Sequence, residues 1–167
     1  MKILVTGGAG YIGSFMVKTA LNKGMEVVVV DNLERGSKEA IDSRSTLIVG
    51  DLRNKNFVGS IFSEHKFDAV VHFAGYISMG ESVTNPYIYF DNNVNASLNV
   101  IEGMVKNNLN NFIFSSSAGI YGNPIGIPIA EDHPKNPTNP YGESKLMVEK
   151  ILSWYGKIYN LNFASLR

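Results

Sequence analysis

The stretch "VTGGAGYIG", residues 5–13, decides the fold. Gly7, Gly10 and Gly13 come directly after a short β-branched run and open a segment with helical character. In a βαβ unit such glycines permit a tight turn, a close approach of the backbone to a pyrophosphate, and close packing of helix on strand. The N-terminus of that helix also offers free N–H groups and partial positive charge to phosphates. A glycine-rich turn without a ligand is the alternative.

Strand and helix patterns alternate along the rest of the chain. Short β-branched runs predict strands at 2–6, 25–31, 45–50, 68–74 and 111–117, and the run from 162 predicts a sixth. The segments between them predict helices at 11–24, 54–66, about 83–108 and 140–159. This order predicts an α/β fold, a Rossmann-type doubly wound parallel sheet with helices on both faces. The irregular segment 118–139 follows the fifth strand, at the edge where such sheets bind ligands.

Composition narrows the classes of partner. The 167 residues suit one domain, and 15 basic residues balance 15 acidic ones, which gives no electrostatic footprint for nucleic acid or an anionic membrane. No apolar run reaches the ~18 residues that span a bilayer. There is no cysteine and the three histidines are scattered, so we expect neither disulfides nor a metal site. A cysteine-free chain fits a reducing compartment, and we expect a cytoplasmic protein.

Asp31 lies at a position where a carboxylate commonly binds a dinucleotide. Asp31 ends the second strand about 20 residues after the glycines, where a carboxylate can bind the adenosine ribose. It also repels a 2′-phosphate, which favours NAD over NADP, although Arg35 lies close enough to weaken that preference. A solvated aspartate at a strand end is the alternative.

Two further strand ends carry candidate cofactor contacts. Asp51 and Leu52 follow the third strand and could flank an adenine, and Phe73 and Ala74 end the fourth. Core packing explains Leu52 and Phe73 equally well. His72 lies inside an apolar strand, so we expect a hydrogen-bonded core histidine rather than a catalyst.

The heptad "NPYGESK", residues 139–145, places Tyr141 and Lys145 on one helix face. A free tyrosine is a poor base at neutral pH, and a nearby lysine cation favours its phenolate. Ser117, at the end of the fifth strand, could donate a hydrogen bond to the reacting oxygen. A surface pair is the default for this spacing alone, but the glycine turn and Asp31 reverse that preference. No GxSxG elbow and no GK[ST] follow, which argues against a serine hydrolase or P-loop enzyme.

Together these residues resemble the extended short-chain dehydrogenases/reductases of the NAD-dependent epimerase/dehydratase family, most of all its UDP-glucose 4-epimerases. The motifs run from Met1 to Arg167: "TGGAGYIG", "VVDNLERG", "GDLRN", "HFAGYISMGES", "NPYIYFDNNVNAS", "NFIFSSSAGIYG" and "NPYGESKLMVE". The resemblance implies NAD as cofactor and a catalytic group of Ser117, Tyr141 and Lys145. It implies cofactor contacts at Gly7, Gly10, Tyr11, Ile12, Gly13, Asp31, Asn32, Asp51, Leu52, Phe73, Ala74, Asn92, Ser115, Tyr141 and Lys145.

The implied reaction interconverts UDP-glucose and UDP-galactose by transient oxidation at C4 of the sugar, with Tyr141 as base. Ile77 and Gly119 depart from the family, some members of which carry lysine and threonine there. The related 4,6-dehydratases need an acidic pair after the fifth strand, where this chain has Ala118 and Gly119. A dehydratase is therefore the weaker interpretation.

Length is the largest departure, because the family has a further C-terminal region that forms most of the sugar pocket. We therefore expect residues 1–167 to be an NAD-binding domain, and the chain to be a truncated form of an epimerase. An NAD-binding module without catalysis, or an enzyme of the same family acting on another nucleotide sugar, are the alternatives. In relatives the helices matching 83–108 and 140–159 pair with a second subunit. Leu146, Leu152 and Trp154 permit such a homodimer, though core packing explains most of them equally well.

Overall fold

Six parallel strands form one sheet in the computed structural model, which describes all of residues 1–167. The strands are β1 (Lys2–Thr6), β2 (Glu26–Asp31), β3 (Thr46–Val49), β4 (Ala69–His72), β5 (Asn111–Ser115) and β6 (Asn162–Leu166). All six predicted strands are present. β4 and β5 end two residues before the predicted ends, so Phe73, Ala74, Ser116 and Ser117 lie in the segments that leave the sheet.

Six α-helices connect the strands: α1 (Tyr11–Asn22), α2 (Lys55–Glu64), α3 (Met79–Thr84), α4 (Pro86–Tyr89), α5 (Ala96–Lys106) and α6 (Pro140–Tyr159). A π-helical segment, Phe90–Asn95, joins α4 to α5, and short 3₁₀ turns occur at Lys38–Ala40 and Ala118–Tyr121. No helix is long and apolar enough to cross a membrane.

The strand order is β3-β2-β1-β4-β5-β6. Successive strands are added to one side of β1 up to β3, and from β4 onward to its other side. Val5 of β1 pairs with Val29 of β2 on one side and with Val71 of β4 on the other. This order confirms the doubly wound Rossmann-type sheet. Ligands of such sheets bind where the strand order reverses, outside the carboxyl ends of the strands, which here is the crevice between β1 and β4.

Both faces of the central strands are covered, which explains their unbroken apolar sequence. Leu4, Val28 and Val70 point into the larger core, with α2, α5 and α6 residues such as Val58, Ile101 and Leu152. Their neighbours Val5, Val29 and Val71 point into the smaller core with Val17 and Ala20 of α1. Successive residues of a strand face opposite sides, so each central strand needs apolar residues at every position.

The helix predicted at 83–108 is wrong as a single element. Asn85 interrupts it with φ −131° and ψ 65°, and Pro86 then starts α4 at its first turn. The residue before a proline avoids the helical region, because the proline ring clashes with its backbone. The helix restarts as α4 and widens into the π-helical segment before α5.

Helix α6 has the predicted bounds of 140–159, and local sequence signals explain both ends. The Asn139 side chain accepts a hydrogen bond from the Gly142 N–H at 2.9 Å, and Pro140 occupies the first turn. Asn160 ends the helix in the left-handed conformation, with φ 54°. These ends fix the position of Tyr141 one residue inside the helix.

We expect Gly13→Ala to destabilise the protein by roughly 1–3 kcal/mol, because its Cβ would clash with the Gly7 carbonyl oxygen and the Gly8 Cα. Gly59→Ala, on an exposed helix position with nothing within 4 Å of its Cβ, is the matched control. It should raise the free energy of unfolding by about 0.5–1 kcal/mol. Urea unfolding of both variants measures this. A Gly13→Ala variant as stable as wild type would contradict the packing described.

Candidate functional site

A cavity of about 690 Å³ opens at the carboxyl ends of the strands, within the ~300–1,000 Å³ typical of ligand pockets. Every residue named as a candidate from the sequence lines it. These are Gly7, Gly10, Tyr11, Ile12, Gly13, Asp31, Asn32, Asp51, Leu52, Phe73, Ala74, Asn92, Ser115, Ser117, Tyr141 and Lys145. They come from the ends of β1 to β5 and from the π-helical segment and α6, and the fold brings them together.

The glycine turn forms the floor of the cavity beside β1. Gly7 has φ +70° and lies so close to β4 that a Cβ would sit 2.5 Å from the Ala74 nitrogen. The Asp31 carboxylate braces this turn, accepting from the Ala9 N–H at 3.0 Å and the Leu33 N–H at 2.9 Å. No side chain accepts a hydrogen bond from the first N–H groups of α1, and the residues at its start, Gly10 to Gly13, line the cavity.

Asn32, Asp51 and Leu52 form the wall at the ends of β2 and β3. The Asp51 carboxylate accepts from the Arg53 guanidinium at 2.6 Å, and these hydrogen bonds hold the pKa of Asp51 below its usual range. Leu52 is buried in the larger core and also lines the cavity. Both interpretations of Leu52 therefore hold at once, since one edge of its side chain packs and the other is accessible. Phe73 likewise has both roles, because it packs against the smaller core and also lines the cavity.

His72 is a core residue, as expected from its apolar strand. It is 1 % exposed, and its ring nitrogens contact Thr6 Oγ1 at 2.7 Å and Ser97 Oγ at 2.8 Å. Burial, and secondly the Lys145 charge, lower its pKa to about 3. The ring is therefore neutral at ordinary pH and ties β4 to β1 and α5.

Tyr141 and Lys145 are not a surface pair. Tyr141 is 8 % and Lys145 3 % exposed, and both side chains line the cavity. The Lys145 Nζ donates to the Ser115 carbonyl at 3.0 Å and lies 6.0 Å from the centroid of the Tyr141 ring. Burial lowers the pKa of Lys145 to about 8, so the side chain remains a cation at neutral pH. This arrangement places a phenol next to a desolvated positive charge.

Ser117 lies beside Tyr141 with a defined hydrogen-bond polarity. Its Oγ accepts from the Gly119 N–H at 3.0 Å, which leaves its own proton to donate into the cavity. Gly119 keeps this region open. A Cβ there would lie 3.2 Å from the Ser117 Oγ and 3.7 Å from the Tyr141 ring.

The supports of Tyr141 were not predicted from the sequence. Tyr76 and Tyr89 pack with Tyr141 in a small buried aromatic cluster. Asn93 accepts from the Tyr76 N–H at 2.7 Å and donates to the Ser144 hydroxyl of α6 at 3.0 Å. Its position four residues before the buried Ser97, on the apolar face of the predicted helix, is the signal that could have revealed this network.

The cavity also includes Gly75, a small residue after the fourth strand that we expect to let the backbone approach the cofactor. Its other lining residues had no cofactor contact assigned from the sequence, namely Val30, Arg35, Gly36, Gly50, Tyr76, Ile77, Met79, Ala96 and Ser116. Arg35 and Lys145 are its only cations. Ile77 and Met79 are largely exposed and give one wall an apolar character.

Comparisons with known proteins agree with this geometry. The family model described as "NAD dependent epimerase/dehydratase family" matches residues 3–167. The UDP-glucose 4-epimerase of Lacticaseibacillus casei is 46% identical over 167 residues, which is 100% of this chain and 50% of that protein. The bifunctional UDP-glucose 4-epimerase and UDP-xylose 4-epimerase 1 of Pisum sativum is 45% identical, with 90% and 46% covered. The crystal structure of UDP-glucose 4-epimerase from Brucella ovis in complex with NAD superposes with a TM-score of 0.96 at 37% identity, covering 99% of this chain and 51% of that one.

The chain thus spans about half the length of the curated relatives it matches. In this chain the matched residues include all six strands, the glycine turn and the cavity with Tyr141 and Lys145.

Because a buried cation is costly, we expect Lys145→Met to raise the free energy of unfolding at pH 7 by roughly 1–3 kcal/mol. The folded-state pKa lies below the ordinary value of 10.5. The wild-type penalty is therefore complete below pH 8 and is relieved as the pH rises from about 8 to about 10.5. The advantage of the variant should shrink across that window.

Urea unfolding of both proteins between pH 6 and pH 10.5, without added ligand, measures the difference in their free energies of unfolding. A precision of ~0.5 kcal/mol is sufficient to follow its change with pH. Lys150→Met, exposed on the same helix, is the matched control and should change stability by less than about 0.5 kcal/mol. A Lys145→Met variant less stable than wild type at every pH would contradict the buried charge.

Proposed function

The chain belongs to the NAD dependent epimerase/dehydratase family, and on that premise we propose that it is the NAD-binding part of a UDP-glucose 4-epimerase. The reaction is the interconversion of UDP-glucose and UDP-galactose by transient oxidation at the sugar C4. One observation carries the proposal. Ser117, Tyr141 and Lys145 line the same cavity as the glycine turn and Asp31. A hydroxyl base and a dinucleotide could therefore meet at one place.

The residues fit NAD by the chemistry of their donors. The uncapped start of α1 offers N–H groups to a diphosphate, and the open positions of Tyr11 and Ile12, 82% and 62% exposed, leave access to it. Asp31 retains acceptor capacity for ribose hydroxyls while it braces the turn, because a carboxylate accepts about four hydrogen bonds.

We assign the contacts in three groups. Gly7, Gly10, Tyr11, Ile12 and Gly13 would hold the diphosphate. The adenosine would lie against Asp31, Asn32, Asp51 and Leu52. Phe73, Ala74, Asn92, Ser115, Tyr141 and Lys145 would line the nicotinamide end. In this proposal residues 1–167 form the NAD-binding domain, and the region that relatives have in addition would hold most of the sugar.

Bound NAD supplies the oxidant and later the reductant for C4 of the sugar. The protein supplies the proton chemistry. The Tyr141 oxygen takes the proton of the sugar 4-hydroxyl and returns it in the reverse step. The Lys145 ammonium, held at the Ser115 carbonyl, stabilises the negative charge on that oxygen. The Ser117 hydroxyl would donate a hydrogen bond to the reacting oxygen of the sugar and keep its proton throughout.

Two alternatives have specific support. A module that binds NAD without catalysis is supported by the half-length coverage and by Ile77 in place of the family's lysine. Another nucleotide sugar as substrate is supported by Gly119, which leaves space beside Tyr141. Relatives named for UDP-xylose or for UDP-Glc/GlcNAc belong to the same matched set.

We further propose a cytoplasmic homodimer. Leu146 and Leu152 are buried within the chain, so they do not support it, whereas Trp154 of α6 and Tyr87 of α4 are 62% and 76% exposed. A purely monomeric protein in sedimentation at several concentrations would defeat the homodimer.

Tyr141→Phe tests the proposed function, because it removes only the hydroxyl. In a version joined to the C-terminal region that relatives have in addition, we expect NAD to remain bound and the interconversion of UDP-glucose and UDP-galactose to fall about 10²–10⁴-fold. Acid release of bound nucleotide and a coupled epimerase assay give the two readouts. Tyr159→Phe, exposed on the same helix, is the control and should behave as wild type.

Unchanged turnover in Tyr141→Phe would overturn its role as the base. Turnover by the 167-residue chain itself would refute the module without catalysis, and a joined wild type that holds NAD but shows no turnover would favour it. No bound NAD in any variant would refute the proposed function as a whole.

A further inference from the structure

Arg35, which lines the cavity, forms an ion pair with Glu81 that has no role in the chemistry described above. The two guanidinium nitrogens of Arg35 donate to the two carboxylate oxygens of Glu81 at 2.7 and 2.8 Å. The guanidinium also lies 3.7 Å above the centroid of the Tyr76 ring. Two-point pairing and stacking restrict the orientation of Arg35 far more than a single contact would.

The pair connects two segments that follow the strands on either side of β1. Arg35 lies in the loop after β2, and Glu81 lies in α3, after β4. In the sheet, β2 and β4 are the two neighbours of β1, and β1 leads into the glycine turn at Gly7. The pair therefore joins the two segments that flank the end of β1, and its Arg35 end lines the crevice assigned to the dinucleotide.

Both ends of the pair are held, the Glu81 end within helix α3 and the Arg35 end in a loop that hydrogen-bonds to the glycine turn through the Ser37 N–H and the Ala9 carbonyl at 3.1 Å. Glu81 also accepts a hydrogen bond from the Tyr89 hydroxyl at 2.6 Å, and Tyr89 is fully buried. The Glu81 N–H is capped by the Ser78 hydroxyl at 3.3 Å. Arg35 belongs to a loop, and its side chain is 41% exposed. Opening of the pair would therefore be a movement of the half-exposed Arg35 side chain off the Tyr76 ring and away from the Glu81 carboxylate.

We propose that the Arg35–Glu81 ion pair is a strap that closes over bound NAD and slows its release. The inference rests on the proposed function, since it needs a dinucleotide in the crevice. Arg35 and Glu81 act here as positioning residues that control the residence time of the cofactor. Epimerisation regenerates NAD in each cycle, so slow release costs the enzyme nothing and keeps it loaded.

A simpler role for Arg35 makes the opposite prediction for one variant. If Arg35 served only as a direct contact to the diphosphate, Glu81 would compete with the cofactor for its charge. Glu81→Gln would then free Arg35 and slow the release of NAD. If the pair is a strap, the same substitution removes half of it and release becomes faster. The amide of glutamine keeps the size of the side chain and an acceptor for Tyr89.

The test measures the dissociation rate of NAD from the loaded chain, in a chase with excess unlabelled nucleotide. We expect Glu81→Gln to release NAD about three- to tenfold faster, the range that an exposed two-point ion pair can supply. Arg35→Lys should also release faster, since lysine keeps the charge but lacks the fork. The double variant should be no faster than Glu81→Gln, because both changes open the same contact.

Salt separates the strap from a general loss of fit. Raising ionic strength from about 0.05 to about 1 M screens an exposed ion pair, so it should speed release from wild type more than from Glu81→Gln. Arg44→Lys, which alters an exposed ion pair with Asp42, is the matched control and should leave the release rate unchanged. Thermal unfolding of each variant checks that it is folded, and Arg35→Lys gives the answer should Glu81→Gln fail to fold.

Release from Glu81→Gln at the wild-type rate, or more slowly, overturns the strap while the proposed function stands. A wild-type chain that binds no NAD overturns both. Faster release from Glu81→Gln with the expected salt response supports the strap, whatever the turnover of the chain.

Discussion

The backbone of Gly7 lies so close to Ala74 that no side chain fits between them. This approach joins the end of β1 to the end of β4, at the point where the strand order reverses. It sets the width of the crevice and the direction in which α1 leaves the sheet. Asp31 completes the arrangement from β2 by bracing the turn through the Ala9 N–H. The cavity is thus a consequence of how three neighbouring strands end.

The site contains an energetic conflict beside this well-packed floor. Lys145 is buried, and its one hydrogen bond within the protein is to the Ser115 carbonyl. A core selected for stability alone would place an apolar side chain there, because an uncompensated charge in the interior is costly. In the proposed function the cation has a purpose, because it would stabilise negative charge on the Tyr141 phenol and offer its remaining donors to the cofactor. Helix α6, capped at Asn139 and held by the Asn93–Ser144 hydrogen bond, fixes that cation in place.

Local signals explain which parts of the structure could be predicted from the sequence. The strands and α6 follow from β-branched runs, from Pro140 and from the Asn139 cap, all of which act over a few residues. The division of 83–108 at Asn85 was missed, although Pro86 marked it, because the apolar pattern continues across it. The spacing of Asn93 and Ser97 marks Asn93 as an inward-facing polar residue, but its partners in α6 and the Arg35–Glu81 pair join residues far apart in the chain, so no local pattern names those contacts. The cavity itself was predictable because the carboxyl ends of parallel strands must lie at one edge.

The central claim is that this chain holds NAD across the β1–β4 crevice, with its reactive end at Tyr141. A crystal structure of the chain grown with NAD tests that claim most directly. The account predicts the diphosphate against Gly7–Gly13, the adenosine between Asp31 and Asp51, and the nicotinamide ribose within hydrogen-bond reach of Tyr141 and Lys145. Nucleotide bound elsewhere, or in the crevice with its nicotinamide directed away from Tyr141, would contradict it.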